Sequence, residues 1–485
     1  MPRRLVATFL AALVVSALAA PAALAQSGDG GNGGGDPTLD GGGTDATPDK
    51  GNGYESTLNL AIDDIQNYWA DEFPVIYGGK YQRIPDDRII AARPGVKLPK
   101  CQGETLTYKD AEDNAFYCYK SNFVAYDDVR LFPQIFRDFG ALAVPLVLAH
   151  EWGHAIQDRA DNANQQTVYK ELQADCFAGS WVKRVADGDA RGIELKGGNL
   201  DRALAAMLQF RDPTGSSKED AQAHGSGFDR VTAFQQGYDD GAEQCATYFD
   251  TNPLVVEIPF TDEQDAASGG NVPAEDVIPA SVELLNSFYS QVEPLYQNQS
   301  ADNVYSFDSS GAKKQLPDCG GSIPPRGDIR NRVFYCLDDG YFAFDEPYLQ
   351  HVYDDIGDMG VATLLANPFA TYVQTLQNFP GAADNADNAV LGADCYTGGF
   401  AAAMYNETLS SETLGLSDGD PILSPGDLDE TVQAFIDYSA ARGLSKDLDV
   451  TFVRLRAFRD GFFNGYGVCQ TNYANASSSL DQPSG

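Results

Sequence analysis

The chain has 485 residues, of which 70 are acidic and 33 are basic, and its net charge at pH 7 is −37. Such an excess of carboxylates repels nucleic acids and anionic lipid surfaces, so neither is an expected partner. The length allows two to four domains, and 43% of the residues are hydrophobic, which is enough for buried cores.

The chain begins with a pattern that is typical of a secretory signal peptide. A basic start and an apolar run in "MPRRLVATFLAALVVSALAA" lead to a cleavage position after Ala25, so the predicted signal is 1–25. Residues 26–54 are rich in Gly and Asp and predict a flexible linker. No later stretch is apolar for long enough to span a membrane. Loss of the signal, with its two arginines, leaves 31 basic against 70 acidic residues, a net charge of −39.

The body of the chain reads as one unit that occurs twice. "NAFYCYKSNFVAYDD" matches "RVFYCLDDGYFAFDE", "LQADCFAGSW" matches "LGADCYTGGF", and "AFQQGYDDGAEQC" matches "AFRDGFFNGYGVC". The offset between matched residues stays between 217 and 224, as expected for a tandem duplication. We therefore predict a first half (55–250) and a second half (275–478) of the same fold, with a linker at 251–274 and a flexible tail at 479–485.

The eight cysteines follow the duplication, with four in each half. The first two cysteines of each half are 17 residues apart in both cases. In an exported protein this pattern favours disulfides, and the simplest pairing joins the first cysteine to the second and the third to the fourth. The predicted pairs are Cys101–Cys118, Cys176–Cys245, Cys319–Cys336 and Cys395–Cys469.

Each half is predicted to be mostly α with a small β part, which makes the fold class α+β. An initial helix precedes a segment with the aromatic and β-branched character of a strand or hairpin, "FYCYKSNFVAYDD" in the first half. The spacing of apolar residues then predicts helices over 130–160, 167–187 and 228–245.

The helix over 130–160 contains the sequence His150-Glu151-Trp152-Gly153-His154, an H-E-x-x-H motif. Residues four apart lie on one face of a helix, so both imidazoles can bind one tetrahedral Zn²⁺. Glu151, beside the first histidine, can then act as a general base on water. The alternative is a pair of histidines that only covers a core face.

A catalytic zinc needs a third protein ligand and one open position. The next helix offers Glu171 and Asp175 on one face, and Glu171 is the predicted third ligand. Asp175 would accept the free N–H of His150 or His154 and fix its tautomer. The alternatives are a solvated carboxylate for Glu171 and a helix brace for Asp175, because Asp394 keeps that position in the second half.

A hydrogen-bond donor is also needed for the oxyanion that forms when water attacks a peptide carbonyl. His224, in "AHGSGFDRV", or Arg230 could supply it, and a capping or surface role is the alternative for His224. Arg230 has a match in the second half, Arg454, which favours a structural salt bridge for the arginine. His224 is therefore assigned to the catalytic group together with Glu151.

Three segments, "LAHEWGHAIQD", "ELQADCFAGSW" and "HGSGFDRVTAFQQGY", resemble the bacterial neutral zinc metallopeptidase family, a gluzincin-like group. The resemblance covers about residues 60–245. It implies a zincin-type α+β fold and one Zn²⁺ per chain, held by His150, His154 and Glu171, with Glu151 as the base. It supports the metal site more than any particular substrate, since the family is named largely from its motif.

The second half keeps the cysteines and the matched segments but replaces the predicted zinc ligands as well as Glu151 and His224. Because Cys395 survives there, a metal-ligand role for its equivalent, Cys176, is disfavoured. His351 is the single histidine of the second half; it matches Gln134 and has no partner that we can name. The replacements are Asn367 for His150, Pro368 for Glu151, Thr371 for His154, Val390 for Glu171, and Leu448 near His224. Pro368 also removes a backbone donor from the equivalent helix.

The main hypothesis is an exported zinc peptidase, secreted or at the cell envelope, that hydrolyses peptide bonds of a protein or peptide substrate. The second half would then form an intramolecular pseudo-dimer with the first, line its cleft, or hold the enzyme at the envelope. The alternatives are a zinc-binding scaffold without hydrolytic activity and an amide hydrolase that acts on cell-wall material. The sequence contains no D-x-D-x-D-G loop, so it predicts no specific Ca²⁺ site.

Overall fold

The structure is a computed structural model. The predicted signal peptide, almost all of the 26–54 linker and the tail at 479–485 lie outside the residues that it describes. Those residues are 53–161, 166–195, 198–220, 223–296, 304–312, 316–379, 386–438 and 450–474.

In the first half, helices surround a small sheet. The helices predicted over 167–187 and 228–245 are present, but the one predicted over 130–160 is two helices. Gly140 separates them, because its positive φ of 85° ends the first helix. The elements in chain order are α1 (Tyr54–Ile76), β1 (Ile89–Ala92), β2 (Ala115–Cys118), β3 (Phe123–Asp127), α2 (Leu131–Phe139), α3 (Ala143–Arg159), α4 (Thr167–Ala186), α5 (Asn199–Leu208) and α6 (Gly227–Ala246).

The second half has a similar succession of elements after a short helix in the connecting segment. Its elements are α7 (Glu263–Ser268), α8 (Ala274–Val292), β4 (Val304–Phe307), α9 (Arg326–Ile329), β5 (Val333–Cys336), β6 (Tyr341–Asp345), α10 (Glu346–Asp355), α11 (Asp358–Leu376), α12 (Ala386–Tyr405), α13 (Asp427–Asp437), α14 (Val450–Asn464) and α15 (Tyr466–Ala474). The chain is therefore α+β and mostly helical. No helix within the described ranges is long and apolar enough to cross a membrane.

The two sheets have the same topology. In the first, β3 pairs with β1 in parallel and with β2 in antiparallel fashion, which gives the order β1-β3-β2. In the second, β6 pairs with β4 in parallel and with β5 in antiparallel fashion, which gives the order β4-β6-β5. All five residues of β3 and all five of β6 are buried, as the near-continuous apolar sequences FVAYD and YFAFD require of a central strand.

The eight cysteines form four pairs at disulfide distance, in the connectivity that the repeated spacing favours. Two of the pairs fasten the small sheets to the loops that precede them, and the other two join helices. The pairs are Cys101–Cys118, Cys176–Cys245, Cys319–Cys336 and Cys395–Cys469.

Two glycines in each half let a pair of helices cross in contact. A Cβ at Gly179 of α4 would lie 2.0 Å from the carbonyl oxygen of Phe234, and one at Gly237 of α6 would lie 1.7 Å from that of Cys176. The same contacts recur between α12 and α14, where the distances are 1.9 and 1.8 Å. The second pair of contacts joins Gly398 to Phe458 and Gly461 to Cys395.

We expect Gly237→Ala to destabilise the protein by about 1–3 kcal/mol, because the new methyl group forces α4 and α6 apart. Urea-induced unfolding measures the change in the free energy of unfolding. Gly467→Ala is the matched control, because a Cβ at that helical position meets no atom within 4 Å. Equal stability of the two variants would contradict the close crossing.

The two halves contact each other through reciprocal helix caps. A carboxylate oxygen of Asp201, on α5, accepts the backbone N–H of Phe452 on α14 at 2.9 Å. A carboxylate oxygen of Asp429, on α13, accepts the backbone N–H of Phe228 on α6, also at 2.9 Å. Between these caps, Asp239 of α6 forms ion pairs with Arg456 and Arg459 of α14, at 2.8 and 2.9 Å. The helix α6 therefore packs on both its own half and the second half.

Candidate metal centre

The H-E-x-x-H helix α3 lies directly against α4. A Cβ at Gly153 would be 2.7 Å from the Cα atom of Ala174, so the glycine between the two histidines permits this close contact. The side chains of His150 and His154 on α3 then meet Glu171 on α4. The contact between the two helices therefore brings three residues from two separate sequence motifs together.

The three side chains present their ligand atoms to a common centre. The Nε2 atoms of His150 and His154 are 3.2 Å apart. The carboxylate oxygens of Glu171 lie 3.1 Å from Nε2 of His150 and 3.4 Å from Nε2 of His154. A tetrahedral zinc site with bonds of about 2.0–2.1 Å has edges of about 3.3–3.4 Å between ligand atoms. The distances between these ligand atoms therefore fit Zn²⁺.

Hydrogen bonds on the far side of each ring fix the tautomers. Nδ1 of His150 lies 2.7 Å from a carboxylate oxygen of Asp175 and donates to it. Nδ1 of His154 donates to Oε1 of Gln157 at 3.0 Å. The amide of Gln157 is itself oriented, because its Nε2 donates to the carbonyl of Lys170 at 2.7 Å. Neutral imidazoles in this arrangement both turn an Nε2 lone pair towards the carboxylate of Glu171, which is the donor set of a metal site.

The electrostatics of the cluster favour a cation at its centre. Burial alone lowers the pKa of His150, but the carboxylates of Asp175 and Glu171 outweigh it and raise that pKa to about 10. Burial alone would raise the pKa of Glu171, but the imidazoles of His154 and His150 hold it well below its usual range. A proton thus stabilises the cluster when no metal is bound, and a metal ion that binds must displace it.

Glu151 lies next to the candidate ligands, and its carboxylate is hydrogen-bonded to the sheet. Its Oε2 accepts the backbone N–H of Tyr117, on the edge strand β2, at 2.7 Å. The side chain is buried, and burial raises the pKa of its carboxyl group. A carboxylate with a raised pKa is suited to accept and return a proton near neutral pH.

Asp175 bridges the metal cluster and a buried arginine. It accepts two hydrogen bonds of 2.8 Å from Nε and Nη2 of Arg230 on α6, besides that from His150. The third guanidinium nitrogen, Nη1, donates to the carbonyl of Phe210 at 2.7 Å. Arg230 therefore forms a buried salt bridge with Asp175, as its match to Arg454 favours.

His224 lies on the loop before α6, beside the cluster but outside it. Its backbone N–H and its Nδ1 both contact the carboxylate of Asp212, at 2.7 and 3.2 Å. Against the effect of burial, the pKa of Glu171 is lowered by His154 and His150 and, to a smaller extent, by His224, so this ring lies near the candidate ligands. The contact through Nδ1 orients the ring.

The corresponding region of the second half keeps the buried Asp–Arg salt bridge but lacks the candidate ligands. Asp394 again accepts a bidentate pair of bonds from an arginine, Arg454, at 2.7 Å each. The place of His150 is taken by Asn367, whose Nδ2 donates to Asp394 at 2.9 Å. Burial raises the pKa of Asp394, which has no imidazole beside it. Asp175 is also buried, but Arg230 and His150 bring its pKa below the usual value.

The other replacements do not interrupt the helices. α11 continues through Pro368, and the hydroxyl of Thr371 donates to the carbonyl of Asn367. Val390 lies on α12, while Leu448 is outside the described residues. The surface residue His351 lies 3.5 Å from Asp355, so it does have a partner.

Three contributors to the site were not predicted. Gln157 orients His154. The alignment of the two halves could have indicated this residue, because Gln374 occupies the matching position and donates to the carbonyl of Ala389 at 2.9 Å. Asp212 holds His224, and the backbone of Tyr117 holds Glu151. For these two, the sequence carries no local pattern that indicates the contact.

Known proteins resemble part of the chain. An uncharacterized protein of Mycobacterium tuberculosis is 31% identical over 184 residues, 32% of this chain and 62% of that protein. The uncharacterized protein YpfJ of Escherichia coli is 32% identical over 158 residues, 27% of this chain and 53% of that protein. The chain thus spans less than two thirds of these relatives. No solved structure matches. Residues 105–248, which contain the two histidines and Glu171, match the family described as "Putative neutral zinc metallopeptidase", in agreement with the resemblance of their motifs.

Proposed function

We propose that the chain is an exported zinc-dependent peptidase whose active site lies in the first half. The observation that carries the proposal is the triangle of two Nε2 atoms and one carboxylate, with edges of 3.1–3.4 Å, beside a buried glutamate. His150, His154 and Glu171 would be the metal ligands. The disulfide-distance pairs and the signal-like N-terminal sequence support export to an oxidising compartment.

Bound zinc would lower the pKa of a water molecule and polarise the carbonyl of a peptide bond. Glu151 would take a proton from the attacking water and later pass it to the leaving amine. The N–H of Tyr117 holds one oxygen of Glu151 during both transfers and leaves the other oxygen for the proton. Because burial raises its pKa, the carboxyl group can carry the proton between the two steps.

Two further residues complete the proposed machinery. Asp175 positions His150 by accepting its Nδ1–H, and Arg230 in turn holds Asp175. His224, oriented by Asp212, would donate from Nε2 to the oxyanion that develops on the attacked carbonyl when both of its ring nitrogens carry a proton.

We further propose that the chain arose by tandem duplication and that the second half supports the first. The equal sheet topologies, the equivalent glycine contacts and the repeated Asp–Arg pair support the duplication. Asp201 caps a helix of the second half and Asp429 caps one of the first, and these reciprocal contacts support an intramolecular pseudo-dimer of the two halves. The first half would span 55–250 and the second 275–478.

Metal content per chain, measured by elemental mass spectrometry on the purified full chain, tests the zinc site. We expect one zinc per chain, lost on His154→Ala because only two ligands remain. Thr371→Ala, the matched change in the second half, should keep the zinc. The absence of tightly bound zinc from the unaltered chain, or its loss from both variants, would contradict the proposal.

A further inference from the structure

A second group of converging acidic side chains lies in the second half, away from the zinc cluster. It consists of Asp358, the first residue of α11, and of Asp427 and Glu430 on the first turn of α13. One carboxylate oxygen of each lies within 4.8 Å of the other two. Two helices that are remote in sequence thus bring three carboxyl groups together.

The most buried of the three has an unsatisfied oxygen. Asp427 is only 5% exposed, and its Oδ2 accepts the backbone N–H of Ser424 at 2.8 Å. Its Oδ1 is buried and has no hydrogen-bond partner. A buried carboxylate oxygen without a partner is costly unless a cation or a proton occupies the space beside it.

Backbone N–H groups donate hydrogen bonds to the carboxylates but do not neutralise their charge. Asp358 accepts the backbone N–H groups of Val272 and Met359, at 2.9 and 2.7 Å, and Glu430 accepts that of Met359 at 3.0 Å. Within the described ranges, none of the three carboxylates forms an ion pair with a Lys, Arg or His; the neighbouring Arg211 pairs with Asp429 instead.

A glycine brings an amide oxygen to the same place. A Cβ at Gly357 would lie 2.3 Å from both carboxylate oxygens of Glu430 and 2.4 Å from Oδ1 of Asn271. The missing side chain, at a φ of 140°, is what lets these oxygens converge. Asn271, from the segment that connects the two halves, therefore adds a fourth oxygen next to the carboxylates.

The first half has the same frame without the acidic groups. Its helix α5 also starts after a left-handed glycine, as α13 does. The side chain of Arg202 lies 3.4 Å from the Cβ position of Gly140, just as the side chain of Glu430 lies beside the Cβ position of Gly357. The equivalents of Asp358, Asp427 and Glu430 are Ala141, Asn199 and Arg202. The shared frame therefore does not require the three carboxylates, and their convergence is specific to the second half.

We propose that Asp358, Asp427 and Glu430, together with the amide oxygen of Asn271, bind a Ca²⁺ ion. All of the groups offer oxygen, which favours a hard cation over zinc. A mixture of carboxylate and amide ligands suits the variable coordination of Ca²⁺ better than the strict octahedron of Mg²⁺. The ion joins the connecting segment to α11 and α13. Because Asp429 on α13 caps α6, the ion also stabilises the contact between the halves.

Calorimetric titration of CaCl₂ into the zinc-loaded full chain tests the site. We expect one Ca²⁺ per chain, with a dissociation constant of about 10⁻⁵–10⁻³ M. Asp427→Asn and Glu430→Gln should each weaken binding at least tenfold, whereas Asp437→Asn, an exposed change on the same helix, should not. Zinc content shows that each variant is folded. His154→Ala should bind Ca²⁺ as the unaltered chain does, which separates this site from the zinc cluster.

Three results would overturn the assignment. The first is no saturable heat with the unaltered chain at millimolar Ca²⁺, which would mean that protons neutralise the carboxylates. The second is binding of Mg²⁺ as tight as that of Ca²⁺, and the third is Ca²⁺ binding that His154→Ala removes or that folded Asp427→Asn and Glu430→Gln both retain. If Asp427→Asn fails to fold, the titration of the unaltered chain and of Glu430→Gln decides.

Discussion

A Glu151→Gln variant is expected to retain one zinc per chain and to lose peptide hydrolysis, with kcat/KM lower by about 10²–10⁴-fold. Glutamine has nearly the shape of glutamate and can still accept the N–H of Tyr117 through its amide oxygen, so the site should keep its form. Its amide nitrogen cannot take a proton from water. Since Glu151 lies outside the group of three ligand atoms, its charge is not needed to hold the metal.

The measurement is the rate of cleavage of a peptide library, followed by mass spectrometry, alongside metal content. Glu243→Gln is the matched control, an exposed glutamate on α6 that should change neither quantity. Undiminished cleavage by Glu151→Gln would exclude Glu151 as the base. If the unaltered, zinc-loaded chain cleaves nothing, the zinc-binding scaffold replaces the peptidase as the better hypothesis.

The parts of the centre that depend on helix periodicity could be predicted from the sequence. His150 and His154 are four residues apart on α3, and Glu171 and Asp175 are four residues apart on α4, so each pair shares a face. The structure brings the two faces together, and the comparison of the two halves already indicated which residues belong to the frame. Local spacing was informative because each element supplies two residues of the centre.

Other features depend on tertiary contacts that no local pattern records. The break at Gly140 was missed because apolar residues continue on both sides of it, so the spacing alone suggests one helix. The group of Asn271, Asp358 and Asp427 was missed because its members are 69 or more residues apart in sequence, and the search for a calcium site considered only a contiguous loop. Such sites become visible only when the helix termini are placed in space.

The paired changes Asp175→Ala and Asp394→Ala are both expected to destabilise the protein, and only the first is expected to weaken zinc binding. Each removes the partner of a buried arginine, Arg230 or Arg454, which is at most 6% exposed. An unpaired buried charge of this kind destabilises a protein by about 3–5 kcal/mol. With zinc removed by a chelator, both variants should therefore unfold at lower urea concentrations than the unaltered chain.

Zinc affinity separates the two variants, because Asp175 holds His150 whereas Asp394 holds Asn367. Without Asp175 the imidazole loses the acceptor that fixes its orientation and makes its Nε2 more basic, and such a loss weakens metal binding by about 10–100-fold. Competition with a chromogenic chelator measures the affinity, under conditions where both variants are folded. A weaker affinity in Asp394→Ala of the same size would show that zinc binding follows overall stability. An unchanged affinity in Asp175→Ala would mean that the aspartate only braces the helices, as its counterpart does in the second half.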